Sequence, residues 1–467
     1  MFFKQYYLGC LAHASYLIGD ESTQTAVVVD PQRDIEQYLN DAEKNDLRIR
    51  HVILTHFHAD FVAGHLELRD RAGAEIHLGA RAEAEYAFKP QADGSRLDLG
   101  RVSLEFLETP GHTPEGISIL VFDHGTFPDK PLMVLTGDTL FIGDVGRPDL
   151  MASEGISETE LAGLLYDSLR NKLMPLPDAT KVYPAHGAGS LCGRNLSDET
   201  VSTIGEQKAL NYALGPMTRE AFIALVTENQ PQAPEYFSYD ARLNKKERPR
   251  LEESLQSGTP LSLDGFLEGQ AAGAQVLDTR PQVEFSAAHL PGAVHVGLGG
   301  KFATWAGIVL DPQVPILLVA EPGSEYEAQM RLGRIGFDRV AGYLDGGMQA
   351  ANHRPNLLEP VISWTGGELL EALSKDPPPH LLDVRAESEF RAGHIKKAIH
   401  VPLNNLVRRL GEIPKGGTVV VHCAGGYRST IACSLLQKHG YRNVVNLLGG
   451  IAAFENLGSE VEAVLAR

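Results

Sequence analysis

The sequence predicts an α/β protein of three domains, a metal-binding α/β domain followed by two smaller α/β domains of one type. Three observations predict it. The 467 residues are enough for about three domains at roughly 150 residues each. Short apolar runs alternate with helical stretches through the first half, and His and Asp residues stand just after several of those runs. The second half repeats itself: Asp278 and Asp383, Phe285 and Phe390, and His289 and His394 are each roughly 105 residues apart.

Composition excludes several function classes. No apolar run reaches the ~18 residues of a membrane span, so no membrane partner is expected. Met1-Phe2-Phe3-Lys4-Gln5-Tyr6 lacks a basic region followed by an apolar one, so no signal peptide is expected either. A formal net charge of −18 argues against a nucleic-acid surface. Cys10, Cys192, Cys423 and Cys433 are too few for a disulfide framework and suit thiols in a reducing cytoplasm.

Along the first half, residues 16–19 and 26–31 read as short strands, and 34–47 as an amphipathic helix. The apolar run His51-Val52-Ile53-Leu54 then leads into Thr55-His56-Phe57-His58-Ala59-Asp60-Phe61. A strand ending in His-x-His-x-Asp presents several ligand side chains at one strand-to-loop edge, and imidazole with carboxylate suits zinc or iron. A helix is expected over 64–71, started by Asp60 and nearby polar groups, with strands at 75–78, 102–107, 118–122 and 132–135. Three further strand ends carry candidate ligands: His112 in Thr109-Pro110-Gly111-His112-Thr113, Asp138 in Gly137-Asp138-Thr139, and His186 in Tyr183-Pro184-Ala185-His186-Gly187. One such His alone is more often structural; four strand ends together make a metal site the expectation. Beyond them, 198–225 has a helical pattern, Pro231, Pro234 and Tyr236 mark an irregular segment, and the basic stretch 244–250 reads as a solvated linker.

The order THxHxD, PGHT, GDT, YPAHG resembles the metallo-β-lactamase superfamily over roughly residues 1–250, which implies an αββα sandwich with its metal at one edge. In two-metal members the residue after the motif's Asp helps to hold a second ion. Phe61 stands there and cannot ligate, so the resemblance implies a crippled second site. The branch it resembles is the persulfide dioxygenases, which keep one Fe(II) on two His and one Asp; the matching positions are His56, His112 and Asp138. Such a set leaves coordination positions open for O₂ and a substrate sulfur. His58, Asp60 and His186 are then expected to orient ligands or substrate. Arg147, in the segment 137–149 that also fits this branch, is open between a salt bridge to Asp149 and a substrate carboxylate. Cys192, soon after His186, is open between carrying sulfur near the metal and filling core.

In the second half, Leu277-Asp278-Thr279-Arg280 recurs as Leu382-Asp383-Val384-Arg385, Glu284-Phe285 as Glu389-Phe390, and Ala293-Val294-His295-Val296 as Ala398-Ile399-His400-Val401. The later copy contains Val421-His422-Cys423-Ala424-Gly425-Gly426-Tyr427-Arg428-Ser429-Thr430, a strand, a turn and a helix start. A loop from Cys423 to Arg428 can curl its backbone N–H groups around the sulfur at a helix N-terminus, favouring a thiolate and its persulfide. The earlier copy runs instead into Glu321-Pro322-Gly323-Ser324-Glu325, with no Cys, and its carboxylates would repel an anionic sulfur. The pattern resembles the rhodanese family of sulfurtransferases, which implies α/β rhodanese domains, with Cys423 and Arg428 catalytic and Ala424, Gly425, Gly426, Tyr427 and Ser429 in the persulfide loop. The expected domains are 1–250, an inactive copy at 258–355 for scaffolding or docking, and an active copy at 360–467.

The three-part order resembles the fused persulfide dioxygenase–sulfurtransferases of bacteria. It implies one Fe(II) per chain oxidising a low-molecular-weight thiol persulfide with O₂ to sulfite, in sulfide metabolism, and sulfur transfer at Cys423 linking persulfide, sulfite and thiosulfate. The thiol carrier, the direction of transfer and a homo-oligomeric state stay open. Two alternatives stand beside it: a two-zinc thioester hydrolase with sulfurtransferase domains, against which Phe61 argues, and a sulfur carrier or sensor using only Cys423, against which the intact His56, His112 and Asp138 argue.

Overall fold

Runs of Val, Ile and Leu that are apolar on both faces pack as strands inside sheets, and that decides the first half. The computed structural model describes all residues except 128–129, 151–154, 195, 229, 231–232, 257, 459–464 and 467. The chain divides into two units, Met1–Ser254 with Met330–Asp338, and Leu255–Gln329 with Arg339–Arg467. Among the described residues no helix is long and apolar enough to cross a membrane.

In the first unit, β1 (Phe2–Leu8), β2 (His13–Asp20), β3 (Thr25–Val29), β4 (Arg48–Ile53), β5 (Glu75–Gly79) and β6 (Lys89–Gln91) form one sheet in chain order. A second sheet is built, also in chain order, from β7 (Arg96–Asp98), β8 (Val102–Glu108), β9 (Ile117–Asp123), β10 (Met133–Gly137), β11 (Lys181–Pro184) and β12 (Ser202–Thr203). Strand alternation splits the second sheet's side chains between two cores. Leu104, Phe106, Ile119, Val121 and Leu135 meet Ile18, Val27, Val29 and Ile53 of the first sheet. Leu120, Phe122 and Val134 face Ala162 and Leu165 on the helix Glu158–Ser168. Each such aliphatic or aromatic side chain contributes about 1.5–3 kcal/mol on full burial. The helices Glu36–Lys44 and His65–Ala72 cover the other sheet, giving the expected αββα order.

The second unit turns the repeated sequence into a repeated topology. β13 (Thr259–Leu261), β14 (Gln275–Asp278), β15 (Val294–His295), β16 (Ile316–Val319) and β17 (Val340–Leu344) form a parallel sheet in the order β13-β17-β16-β14-β15. The later copy has β18 (Ile362–Trp364), β19 (His380–Asp383), β20 (His394–Ile395), β21 (Ile399–His400), β22 (Val419–His422), β23 (Val444–Leu447) and β24 (Leu465–Ala466). Its parallel sheet, β18-β23-β22-β19-β21, matches the first position for position, while β20 pairs with β24.

Four expectations need correction. The helix expected over 64–71 is His65–Ala72, and it begins at Gly64 with no side-chain cap, so Asp60 does not start it. The helical pattern over 198–225 breaks into Ile204–Leu210 and Arg219–Thr227, because Pro216 has no N–H to continue a helix. Tyr236 belongs to the helix Glu235–Lys245, which starts directly after Pro234; Pro231 lies outside the described residues. The stretch 244–250 is not a solvated linker. Asn244 is fully buried, and Arg248, also buried, pairs with Glu67 at 2.7 Å. Charged residues were legible there as hydrophilic, but their partners lie some 180 positions away.

Candidate metal centre and cysteine loop

The metal-site residues meet because parallel and antiparallel pairing brings several strand ends to one edge of the sandwich. His56 and His58 follow β4, His112 follows β8, Asp138 follows β10 and His186 follows β11. The backbone is tied across that edge: Ile117 N donates to Thr55 O, Ala185 N to Gly137 O, and Ala14 N to Ala185 O. Gly137 turns the chain into the site at φ +52°, and a Cβ there would come 2.6 Å from Thr55 Oγ1.

His56, His112 and Asp138 are all buried and offer ligand atoms within 4.8 Å of one another. His112 Nε2 is 3.4 Å and His56 Nε2 is 3.7 Å from Asp138 Oδ2. The opposite ring nitrogens are held by donors and acceptors that set the tautomer. Thr55 donates from N and Oγ1 to the Asp30 carboxylate at 2.7 and 2.8 Å, so His56 Nδ1 donates to Thr55 Oγ1 at 3.0 Å. His112 Nδ1 donates to Arg147 O at 2.9 Å. Both Nε2 lone pairs are therefore directed to the site.

Electrostatics agree with a cation site. Burial, with the neighbouring histidines, holds His56 well below the usual imidazole range, and burial holds His112 at about 4. Both rings are thus neutral, the ligand form. Burial pushes Asp138 well above the usual carboxylate range, and the Asp60 charge adds to this, whereas the Cys192 thiol favours its ionised form. Neither Asp138 carboxylate oxygen reaches a partner in full hydrogen-bond geometry. A carboxylate so placed is ionised when a cation stands beside it. The donor set fits a divalent metal.

The remaining expected residues fall around this trio. His186 donates through Nδ1 to Ala12 O at 3.2 Å, and its Nε2 lies 3.6 Å from Asp60 Oδ1 and 3.7 Å from Asp138 Oδ1. His58 Nε2 is 3.0 Å from Asp30 Oδ1. Asp60, His186 and Cys192 form a second group with ligand atoms within 4.8 Å, and the Cys192 thiol is pushed well up by burial. The fully buried Phe61 ring packs 4.1 Å from His13 and 4.4 Å from His58 by centroids. Arg147 is bound on both sides of its guanidinium by Asp149, at 2.7 and 2.6 Å, so its side chain forms the salt bridge while its carbonyl orients His112.

Sequence reasoning missed His13, Asp30, Glu115 and Asn244. His13 lies near His58 and His186 and had no motif to mark it. Asp30 follows β3 as Val29-Asp30-Pro31, a strand end like the others, and that position was its signal. Glu115 accepts from Phe57 N at 2.9 Å, and Asn244 Nδ2 donates to His58 O and Phe61 O, both at 2.8 Å.

In the second unit, β22 ends at His422 and the helix Tyr427–Lys438 begins after Gly426, whose φ of +113° lets the turn close. Gly426 N donates to Cys423 Sγ at 3.1 Å, and the thiol lies 3.6 Å from Ser429 Oγ. The sulfur thus sits at the amino end of a helix, inside the loop of Ala424, Gly425, Gly426 and Tyr427. Arg428 is held by Glu389 at 2.6 and 2.8 Å; that carboxylate, and to a smaller degree Cys423, keep it firmly charged. Glu389 had appeared in the sequence only as a mark of the repeat. Cys433 is buried in the helix and its thiol is pushed up by burial. In the earlier copy the corresponding loop turns on itself, with Gly323 N donating to Glu325 Oε2 at 2.8 Å.

Residues 8–186 match the metallo-β-lactamase superfamily, and 262–353 and 366–457 each match the rhodanese-like domain. The chain is similar to the mitochondrial persulfide dioxygenase ETHE1 of Bos taurus, 30% identical over 235 residues that cover 50% of this chain and 83% of that protein. It is also similar to the cytoplasmic hydroxyacylglutathione hydrolase of Arabidopsis thaliana, 34% identical over 39% of this chain and 67% of that one. A crystal structure described as a metallo-β-lactamase from Staphylococcus aureus subsp. aureus COL is 29% identical, with a TM-score of 0.66, covering 73% of this chain and 98% of its own.

Proposed function

We propose, for a chain that belongs to the metallo-β-lactamase superfamily and carries two rhodanese-like domains, that it is an Fe(II) persulfide dioxygenase coupled to a sulfurtransferase. The oxidation is assigned to residues 1–250, the transfer to 360–467, and no sulfur chemistry to the copy at 258–355. The observation that carries this reading is the convergence of two neutral imidazoles, His56 and His112, on the buried carboxylate of Asp138. Two His and one carboxylate form the ligand set of non-haem Fe(II) oxygenases. The persulfide dioxygenase similarity of the first half supports O₂ chemistry there, which a redox metal such as iron can serve and redox-inert zinc cannot.

Bound there, Fe(II) would supply the electron chemistry with O₂ beside a substrate sulfur. Overall, one persulfide, one O₂ and one water give the thiol, sulfite and two protons, with the outer sulfur losing four electrons to O₂. The protein's part is to keep the site dry and the ligands aimed. Asp30 and Thr55 fix His56, Arg147 O fixes His112, and the Phe61 ring fills space beside His13 and His58. At the other centre, the Cys423 thiolate attacks the outer sulfur of thiosulfate; a new S–S bond forms, the old one breaks and sulfite leaves. The same exchange run backwards releases thiosulfate. Gly426 N and the helix N-terminus stabilise the sulfur anion in both forms. Four free cysteines support a reducing cytoplasm as the place of work.

The test is metal analysis combined with oxygen uptake on a thiol persulfide. About one iron per chain with O₂ consumption is expected; two zincs and no uptake would refute the reading. Cys423→Ser is expected to abolish thiosulfate–persulfide exchange while O₂ uptake persists, and loss of both would refute two independent centres. One observation favours a second reading, a two-metal thioester hydrolase: Asp60, His186 and Cys192 also converge, beside Asp138. Phe61 weighs against it, and the metal count decides.

A further inference from the structure

Inside the second unit a cavity of about 650 Å³ opens at Cys423, and part of its wall comes from the copy that has no cysteine. Gln282, Lys301 and Trp305 of that copy face Cys423, Tyr427 and Arg428 of the other. The two copies are tied at this place. The Tyr427 hydroxyl donates to Gly297 O at 3.0 Å, and His295 N donates to Ser434 Oγ at 3.0 Å. Gln282 lies over the loop itself, since a Cβ on Gly426 would come 3.2 Å from its Nε2.

Size and charge indicate what the cavity receives. A volume of several hundred Å³ suits a molecule of drug-like size rather than a five-atom sulfur oxyanion alone. Among its described lining residues are two cations, Lys301 and Arg428, and no carboxylate. Arg428 is already engaged on both sides by Glu389. Lys301 keeps part of its surface exposed, and partial desolvation, with the Arg428 charge after it, lowers it from the usual ammonium range. Trp305 adds an aromatic wall.

We propose that the cysteine-free copy is the substrate-binding half of the Cys423 site, in which Lys301, flanked by Gln282 and Trp305, receives the anionic tail of a low-molecular-weight thiol persulfide. The persulfide's outer sulfur then reaches Cys423. The thiolate attacks that sulfur, the Cys423 S–S bond forms, the substrate's S–S bond breaks, and the carrier leaves as its thiolate with the proton kept on the transferred sulfur. This rests on Cys423 being the sulfur carrier and makes Lys301 a specificity residue for it. A copy that lost its own chemistry thereby keeps a place in its neighbour's.

The experiment loads Cys423 in the full chain from three donors and follows persulfidation by mass spectrometry. The donors are glutathione persulfide, whose tail carries carboxylates, coenzyme A persulfide, whose tail carries phosphates, and neutral 2-mercaptoethanol persulfide. In Lys301→Met, the kcat/KM of an acidic donor relative to the neutral one is expected to fall about tenfold, the weight of one charge-assisted hydrogen bond. The loss should lie in KM, and Lys301→Arg should restore most of it. The acidic donor that loses tells carboxylate from phosphate. Because the ratio compares donors on one variant, a general folding defect cancels; if the Met variant does not fold, Lys301→Gln carries the test. A ratio unmoved for both acidic donors, or a loss shared equally by the neutral donor, overturns the proposal. A parent chain that loads Cys423 from none of the three overturns the sulfur-carrier reading itself, and the proposal with it.

Discussion

Replacing Asn244 with alanine should unfold the metal loop's support more than any single surface change in the first unit. Asn244 is 0% exposed, and its amide makes three bonds to one loop. Nδ2 donates to His58 O and Phe61 O, and Oδ1 accepts from Ala63 N, all at 2.8 Å. Alanine leaves two carbonyls and one N–H without partners in a buried place. Each such group costs about 1–3 kcal/mol when left dry, and a water entering the space of the lost amide recovers part. The expected destabilisation is about 3–5 kcal/mol. It is measured by urea unfolding of the chelator-treated protein, following the transition of the first unit at constant m-value. Asn244→Asp separates the causes. Its carboxylate still accepts from Ala63 N but turns an acceptor on two carbonyls, so the loss at neutral pH should be at least as large and should ease in acid, where the protonated group donates again. A loss under about 1 kcal/mol for Asn244→Ala would refute the claim that these bonds hold the loop.

Phe61→His should raise the metal content from about one ion per chain toward two, because an imidazole would then stand beside Asp60; an unchanged content by mass spectrometry would show that this ring is not what blocks a second ion. For the metal-free protein, acidification from 6.5 to about 4 should lower the melting temperature of the first unit. Burial holds His13, His112 and His186 at about 4, and His56 and His58 are also lowered, so each adds stability above 6.5 that is lost as pH falls toward its folded value. Asp30 and Asp60, raised to about 6, and Asp138, also raised, act in the opposite sense, losing stability as pH rises from about 4. His51, His65 and His77 are lowered as well, and Glu115 and Asp240 are raised, so eight histidines against five carboxyls set the sign; a melting temperature that is flat or rises on acidification in calorimetry would contradict it.

The amino-acid sequence by itself determined the strand ends and what stands on them. His56, Asp60, His112, Asp138 and His186 were legible because each lies within a few residues of an apolar run, and a short run followed by a turn fixes its own chain direction. The repeat and the Cys423 loop were legible for the same reason: a thiol, its glycines and the helix start occupy consecutive positions. Tertiary structure alone decided the partners. Asn244 meets His58 across 186 positions, and the cavity at Cys423 takes Lys301 from another domain of the same unit. Periodicity records that a residue is buried or exposed, but not against what; that follows from sheet order. Hence the basic stretch 244–250 read as solvent-facing although Asn244 and Arg248 are buried. Arg147 likewise stays open in the sequence between Asp149 and a substrate carboxylate, and the fold puts its guanidinium on Asp149 and its carbonyl on His112. Local chemistry is written in neighbouring letters, whereas a buried polar group is satisfied by whatever the fold brings to it.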